Sequence, residues 1–550
     1  MDIEDLHITS NMTHNNSAHL SIAERLIDLT LKYEHNPLLY SFVANLNRHV
    51  ISSMEESSVQ YLGEASRHVE GLKASKHSIP QILLVKGLVS ALKNAPSSKS
   101  LNGAIDQVKI TRKLRKMVEH RLSKFAQKAG KGDETMLSLR VALAAVDSLA
   151  DTLSDKEIVL DSEAVAQLEA LAKSYVAQEN EMGWKLRKFL VANYPARYKE
   201  GPVISWLNEP VDGGAEDAIS DLIEAYIKGH DRAARAQMLD DLIQGGKLTS
   251  GSTGSLLAVK KIIEQQAAEP STAPANGEEG SIDIAAVHGQ LAPLLTQTET
   301  ILHFNHLSDA LLLLVDKHAS GMTQFSIELT LGSVIDVCSP AGPELRESKA
   351  AGQVYDRAYK LVAAVIKRHR LRLEGRLPLL ITTLQAMLRV VLTDPGSPQT
   401  QAQQHPDGAQ SAHRHPPWLT TRLQARHAAR FSRLLTLVCE PSVASVARHS
   451  SSTMQQLDSA TDAAKRAAGL DMYAVLEAYI KLQLDSPGAG GVGAVPRDVR
   501  AALEPGIYSV LSITPHGCRR VMNESLDSNG RALFRSIFAD YKKFGRWSGI

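Results

Sequence analysis

Apolar residues recur every three or four positions through nearly every structured stretch of this 550-residue chain, and that period narrows the fold to helices. The pattern runs through Ile22 to Tyr33, Pro80 to Leu92, Ile110 to Phe125, Met136 to Leu149, Ala164 to Val176 and Ala218 to Ile227. Such spacing puts the apolar side chains on one stripe of an α-helix. The period-two alternation of a half-buried strand is not found. Punctuation agrees: Asp161-Ser162 and Ser78 stand where helices should begin, and Gly229 stands where one should end. Aromatic residues make up only 5% of the chain while Ala and Leu abound, which favours helices over sheets. The chain is also too long for a single core. Short amphipathic helices joined by short turns predict an all-α, armadillo- or HEAT-like helical solenoid with irregular repeats and disordered loops. No repeat consensus is legible.

Three stretches interrupt the helical period. Residues 265–281 are rich in Pro, Ala, Gly and Glu and read as a disordered linker. They divide an N-terminal helical region, 1–264, from a C-terminal helical domain, 282–550. Two further stretches, 394–417 (Pro, Gln and His) and 486–496 (Gly and Pro), read as flexible loops inside that domain.

The motifs that would carry chemistry fail on their context. Gly488, Gly490 and Gly493 satisfy G-x-G-x-x-G, but a dinucleotide site needs a strand before them and a helix starting on them. Here a helix precedes, Ser486-Pro487 interrupts and Pro496 follows. Gly251-Ser252-Thr253-Gly254 lacks the lysine of a P-loop. His405, His413 and His415 lie in a flexible loop that offers a metal no fixed geometry. Cys338, Cys439 and Cys518 lie far apart, which argues against a disulfide framework or a cysteine zinc site and suits a reducing compartment. No nucleophile or acid–base constellation stands out, so the expectation is a protein that is not an enzyme, with no catalytic residue, cofactor or metal. The N-terminal residues are acidic and polar, unlike a signal peptide. The most apolar run, Ala310 to Val315, is far too short to span a bilayer. The sequons at Asn11, Asn15 and Asn523 are read as chance matches.

Charge is the remaining signal. The net charge is +1, so any affinity for a polyanion must come from local clusters. Four rows of cations recur at helical spacing. One is Lys109, Arg112, Lys113, Lys116 and Lys124; a second is Arg368, Arg372 and Arg376; a third is Arg422, Arg426, Arg430 and Arg433. The fourth, Arg531, Arg535, Lys542 and Arg546, lies beside an apolar face of Leu533, Phe534, Ile537, Phe538, Tyr541 and Phe544. That face is expected to dock. Arginine forks match phosphates in a bidentate way, yet each row is also what a solvated helix face looks like. Phosphate backbone and an acidic protein both remain open as partners.

Four C-terminal stretches resemble one family, the nucleolar pre-ribosomal RNA processing factors called unhealthy ribosome biogenesis protein two. They are Lys367 to Arg389, Ala428 to Val446, Leu457 to Ile480 and Leu503 to Trp547, the last with PGIY, SLDSNGRALF and DYKKFGRW. The resemblance covers about Thr323 to Ile550. One departure is that Leu377-Pro378 stand where the family usually has an aromatic and a His after Gly-Arg. Residues 1–320 show no motif of their own.

The resemblance implies a non-enzymatic assembly factor for large ribosomal subunit precursors. It would support pre-rRNA processing and compaction in the nucleolus, in a complex with a large helical scaffold protein and a DEAD-box RNA helicase. The residues expected to touch RNA or a partner are Arg368, Arg372, Arg376, Lys465, Arg466, Arg531, Arg535, Lys542, Lys543 and Arg546. Structural roles are expected of Pro505, Gly506, Tyr508, Gly530, Phe534, Phe538, Tyr541 and Trp547, with Gly506 and Gly530 setting turn or helix-start geometry. The competing expectation is a protein-only scaffold, or a transport-receptor-like solenoid, without RNA contact.

Overall fold

The structure, a computed structural model, describes residues 67, 69–73, 76, 78–93, 107–128, 133–149, 158–199, 202–207, 209, 215–244, 248, 253–268, 282–373, 376–395, 415–440, 454–485 and 495–545. Among these residues there is no strand. The chain forms two compact units: Met1–Pro202 with Val211–Gly229, and Val203–Pro210 with His230–Ile550.

The first unit contains α1 (Ile79–Lys93), α2 (Gln107–Gln127), α3 (Asp133–Leu149), α4 (Ser162–Ala177), α5 (Glu181–Asn193) and α6 (Glu216–Lys228). Five of the helices read from sequence spacing are found here, within a few residues of their expected ends. The sixth, Ile22 to Tyr33, lies outside the described residues. Asp161 starts α4 as anticipated: its carboxylate accepts from the Ala164 amide at 2.6 Å. Ile110, Leu114, Val118 and Leu122 bury the apolar stripe of α2, and Lys109, Arg112, Lys116 and Lys124 stay exposed. Lys188 of α5 reaches Asp147 of α3 at 3.2 Å and Asp221 of α6 at 3.1 Å. The packed helix pairs of this unit are all one or two places apart in sequence, the local pattern of a helical-repeat stack.

The second unit continues with α7 (Arg232–Gln244), α8 (Thr253–Ala268), α9 (Ile284–Leu291), α10 (Ile301–Lys317), α11 (Gln324–Val337), α12 (Ala351–Arg368) and α13 (Leu377–Leu392). It ends with α14 (Ala425–Cys439), α15 (Met454–Asp485), α16 (Arg497–Ile513), α17 (His516–Ser525) and α18 (Ser528–Asp540), then a π-turn at Tyr541–Gly545. Alternate helices pack side by side. One layer runs α8, α10, α12, α14, α16; the facing layer runs α9, α11, α13, α15, with α17 and α18 closing on α15. This is an all-α, HEAT-like stack, and its core is the seam between layers. Leu314, Val354, Leu384, Leu434 and Leu476 are among the fully buried side chains there. Truncating one of the leucines to alanine would cost about 2–5 kcal/mol.

The repeats are legible in polar contacts that no sequence period announces. His318 follows α10, and its Nε2–H donates to the Ile263 carbonyl near the end of α8 at 3.0 Å. His369 follows α12 and donates in the same way to the Val315 carbonyl near the end of α10 at 2.9 Å. Arg370 donates to the Leu437 and Val438 carbonyls ending α14, at 2.8 and 2.6 Å. Helix ends leave their last carbonyls without intrahelical partners, and His369 and Arg370 satisfy such carbonyls of α10 and α14.

The interruptions are placed differently. Helix α8 continues to Ala268, four residues into the stretch read as linker from Gln265. Residues 269–281, 396–414 and 486–494 lie outside the described residues. Directly after the second of these, Trp418 is buried, with its indole N–H on the Val337 carbonyl at 2.7 Å.

Candidate functional site

The Arg368–Arg376 row does not exist as a helical face. Helix α12 stops at Arg368, a 3-10 turn spans Arg370–Leu373, and α13 starts at Leu377. Each arginine of the row meets an acceptor inside the protein. Arg368 pairs with Asp316 of α10, Arg372 donates to the Met322 carbonyl, and Arg376 pairs with Glu328 of α11 at 3.1 Å. The period failed because one helix does not run through all three arginines: Pro378, which has no amide hydrogen, stands in the first turn of the separate helix α13.

The third row meets a similar end. Arg422 pairs with Asp394 at 3.1 Å, Arg426 donates to His427, and Arg430 pairs with Asp356 of α12. Only Arg433 of that row is exposed without such a partner among the described residues. The stacked layer carries one more such bridge: Asp309 of α10 receives Lys260 of α8 at 3.4 Å and Arg357 of α12. Cations in this layer stitch one repeat to the next.

The end of the unit differs. Arg531, Arg535, Lys542 and Lys543 are exposed and meet no carboxylate among the described residues. Arg531 donates only to the Asp527 carbonyl, at 3.3 Å. Beside them, Phe534, Phe538, Tyr541 and Tyr508 form a chain of rings with centroids 5.9–6.1 Å apart. The docked apolar face anticipated here is only partly closed. Phe534 is buried, Leu533, Ile537, Phe538 and Tyr541 are half-buried, and Phe544 is 55% exposed. Lys465 and Arg466 stand on α15, half-exposed and exposed. Arg546 and Trp547 lie outside the described residues.

Gly506 requires a correction. It sits neither at a turn nor at a helix start but inside α16, after Pro505. A Cβ there would meet the Ser432 carbonyl oxygen at 2.6 Å and its Cα at 2.7 Å. Its amide donates to Ser432 Oγ at 2.7 Å. The glycine lets α14 and α16 form the most extensive helix pairing among the described residues. Gly530 stands three residues into α18, where its amide donates to the capping Asp527 carboxylate at 2.7 Å.

Sequence reasoning missed Arg519. It lies on α17, a separate helix, and its guanidinium carbon is 5.3 Å from the Phe538 ring centroid. No period along one helix could join the two. Only its adjacency to Arg520 marked it as basic.

Titratable groups elsewhere follow burial. It holds His288 and His306 down to about 4, with His369 adding at His288 and Lys260 at His306. Burial pushes the Cys338 thiol up to about 12 and raises Cys439 as well. Among the described residues no three His, Cys, Asp or Glu side chains are grouped to hold a metal ion. No described helix is long and apolar enough to cross a membrane.

Stacked helical repeats ending in an uncancelled cationic surface define an all-α helical-repeat protein. Residues 305–550, from within α10 to the end of the second unit, match the Urb2/Npa2 family. That family is one of ribosome biogenesis factors, which work in the nucleus. No curated protein matches the chain.

Proposed function

We propose that this protein is a non-enzymatic assembly factor for large ribosomal subunit precursors. It supports pre-rRNA processing and compaction in the nucleolus as a member of a protein complex. The observation that carries this reading is the Urb2/Npa2 match over residues 305–550. The stacked layers supply what such a role needs: long helix surfaces held in fixed register by buried seams and cross-repeat bridges. A large helical scaffold protein and a DEAD-box RNA helicase are the partners the family resemblance implies.

Affinity purification of the tagged full chain, read by mass spectrometry, tests the reading. Early large-subunit assembly factors should be recovered, and their absence would overturn it. The second reading, a protein-only scaffold, draws on the upstream arginines that are already engaged within the chain. RNA crosslinking in cells separates the two: no pre-rRNA contact in the C-terminal domain favours the protein-only form.

A further inference from the structure

We infer that the row Arg519, Arg531, Arg535 and Lys542, gathered beside Phe538, binds the phosphate backbone of RNA. The choice of RNA over DNA rests on the ribosome-assembly reading; the choice of a polyanion rests on the geometry.

The first argument is selection. Of the arginine rows in the second unit, two are engaged by acceptors of this chain such as Asp316, Glu328, Asp394 and Asp356. The last is not. In residues 516–545 one further cation, Lys543, is exposed beside the Phe544 ring, and the remaining charged side chains account for themselves. Arg520 pairs with Glu524 at 2.9 Å, Asp527 caps α18, and Asp540 is the one exposed carboxylate besides. Local positive charge therefore exceeds negative in a chain whose net charge is only +1.

The second argument is crowding. Lys542 Nζ lies 4.9 Å from the Phe538 centroid, and Arg519 Cζ lies 5.3 Å from the same centroid. Two cations held around one ring stand within roughly one Debye length, about 10 Å at 0.1 M salt, so they repel. The ring quadrupole offsets part of this, by about 0.5–1 kcal/mol for each exposed cation. No carboxylate of the described residues supplies the rest. At 100° per residue, Arg531, Arg535 and Phe538 fall within one narrow stripe of α18, and Lys542 from the π-turn and Arg519 from α17 join it at the Phe538 ring. An extended anion lying along the stripe would relieve the repulsion. A phosphate backbone carries regularly spaced charge of the right sign and leaves counterions to be released on binding.

The test uses the full chain and a fluorescent single-stranded RNA of mixed sequence, titrated across salt concentrations. The R531E/R535E double variant should lose affinity by about tenfold or more. It should also flatten the log–log salt slope by about 1.4, at roughly 0.7 for each phosphate no longer neutralised. Phe538→Leu keeps the apolar packing but removes the quadrupole, and a several-fold loss is expected. Arg433→Glu, an exposed arginine outside the row, should change affinity less than twofold. Equal losses for R433E and R531E/R535E would overturn the site by showing diffuse charge attraction. So would wild-type binding to a polyglutamate peptide, but not to RNA, that depends on Arg531; that result assigns the row to an acidic protein. Circular dichroism checks that each variant folds. Co-purification of wild-type chain with large-subunit factors is read separately. Its failure sinks the assembly role and leaves the polyanion site to stand or fall on the titration.

Discussion

Arg368, Arg372 and Arg376 and the terminal Arg531, Arg535 and Lys542 look alike as text: cations at helical intervals beside apolar residues. In the fold they have opposite fates. The first set lies between repeats, where Asp316 and Glu328 of the preceding helices and the Met322 carbonyl of the loop joining them face it. The second lies on α18 and the turn after it, where no neighbouring described helix supplies acceptors. Whether a cation is available to a partner depends on what the adjacent repeat presents. That is a tertiary property, invisible to periodicity.

The comparison can be broken most severely where the stack itself is closed. Gly506→Val should destabilise the second unit by about 3 kcal/mol, because the new side chain would overlap the Ser432 backbone. Helix propensity alone predicts the opposite sign, a gain of about 0.5 kcal/mol on losing a mid-helix glycine. Chemical denaturation decides between them, and a stabilised variant would show that α14 and α16 do not approach closely.

Acid should act next. Buried His288 and His306 have pKa values held at about 4, below the unfolded value of about 6.5. Between those limits the unfolded chain takes up protons that the folded one refuses, so stability falls as pH drops from about 6.5 toward 4. The loss should reach a few kcal/mol in total, beginning above the range where carboxylates titrate. Melting temperatures measured from pH 7 to pH 5 should decline, and a flat profile would mean these rings are not buried neutral.

Cross-repeat bridges should show a smaller effect. Asp309→Ala leaves Lys260 and Arg357 without their shared carboxylate. All three side chains are about a quarter exposed, so solvent screening brings the cost down to about 1–2 kcal/mol. The R531E/R535E variant should change stability least, within about 0.5 kcal/mol, since its side chains engage no carboxylate among the described residues. If reversing the terminal row costs as much as removing Asp309, the two classes of cation are not distinct.

The helices were legible because an amphipathic stripe is written locally: α2, α3, α4 and α6 appear where the spacing of Leu, Val and Ile put them. The Asp161 cap was legible for the same reason, since it lies within three residues of the amide it serves. The boundary at Gln265 was misread because composition favoured a linker while α8 still had a turn to complete. Of the terminal surface, Arg531, Arg535 and Lys542 could be named from one helix, but Arg519 could not.

The sequence by itself determined an all-α chain, the location of most helices in the first unit, and the C-terminal region that carries the family match. It did so because helical period and motif strings are properties of neighbours along the chain. The tertiary structure alone decided the layer order, the carbonyl clamps of His318, His369 and Arg370, the depth of Gly506 and which arginines are already engaged. The clamps, the Gly506–Ser432 contact and the Arg368, Arg372 and Arg376 pairings join residues about fifty or more positions apart, and only packing brings such residues within hydrogen-bonding reach.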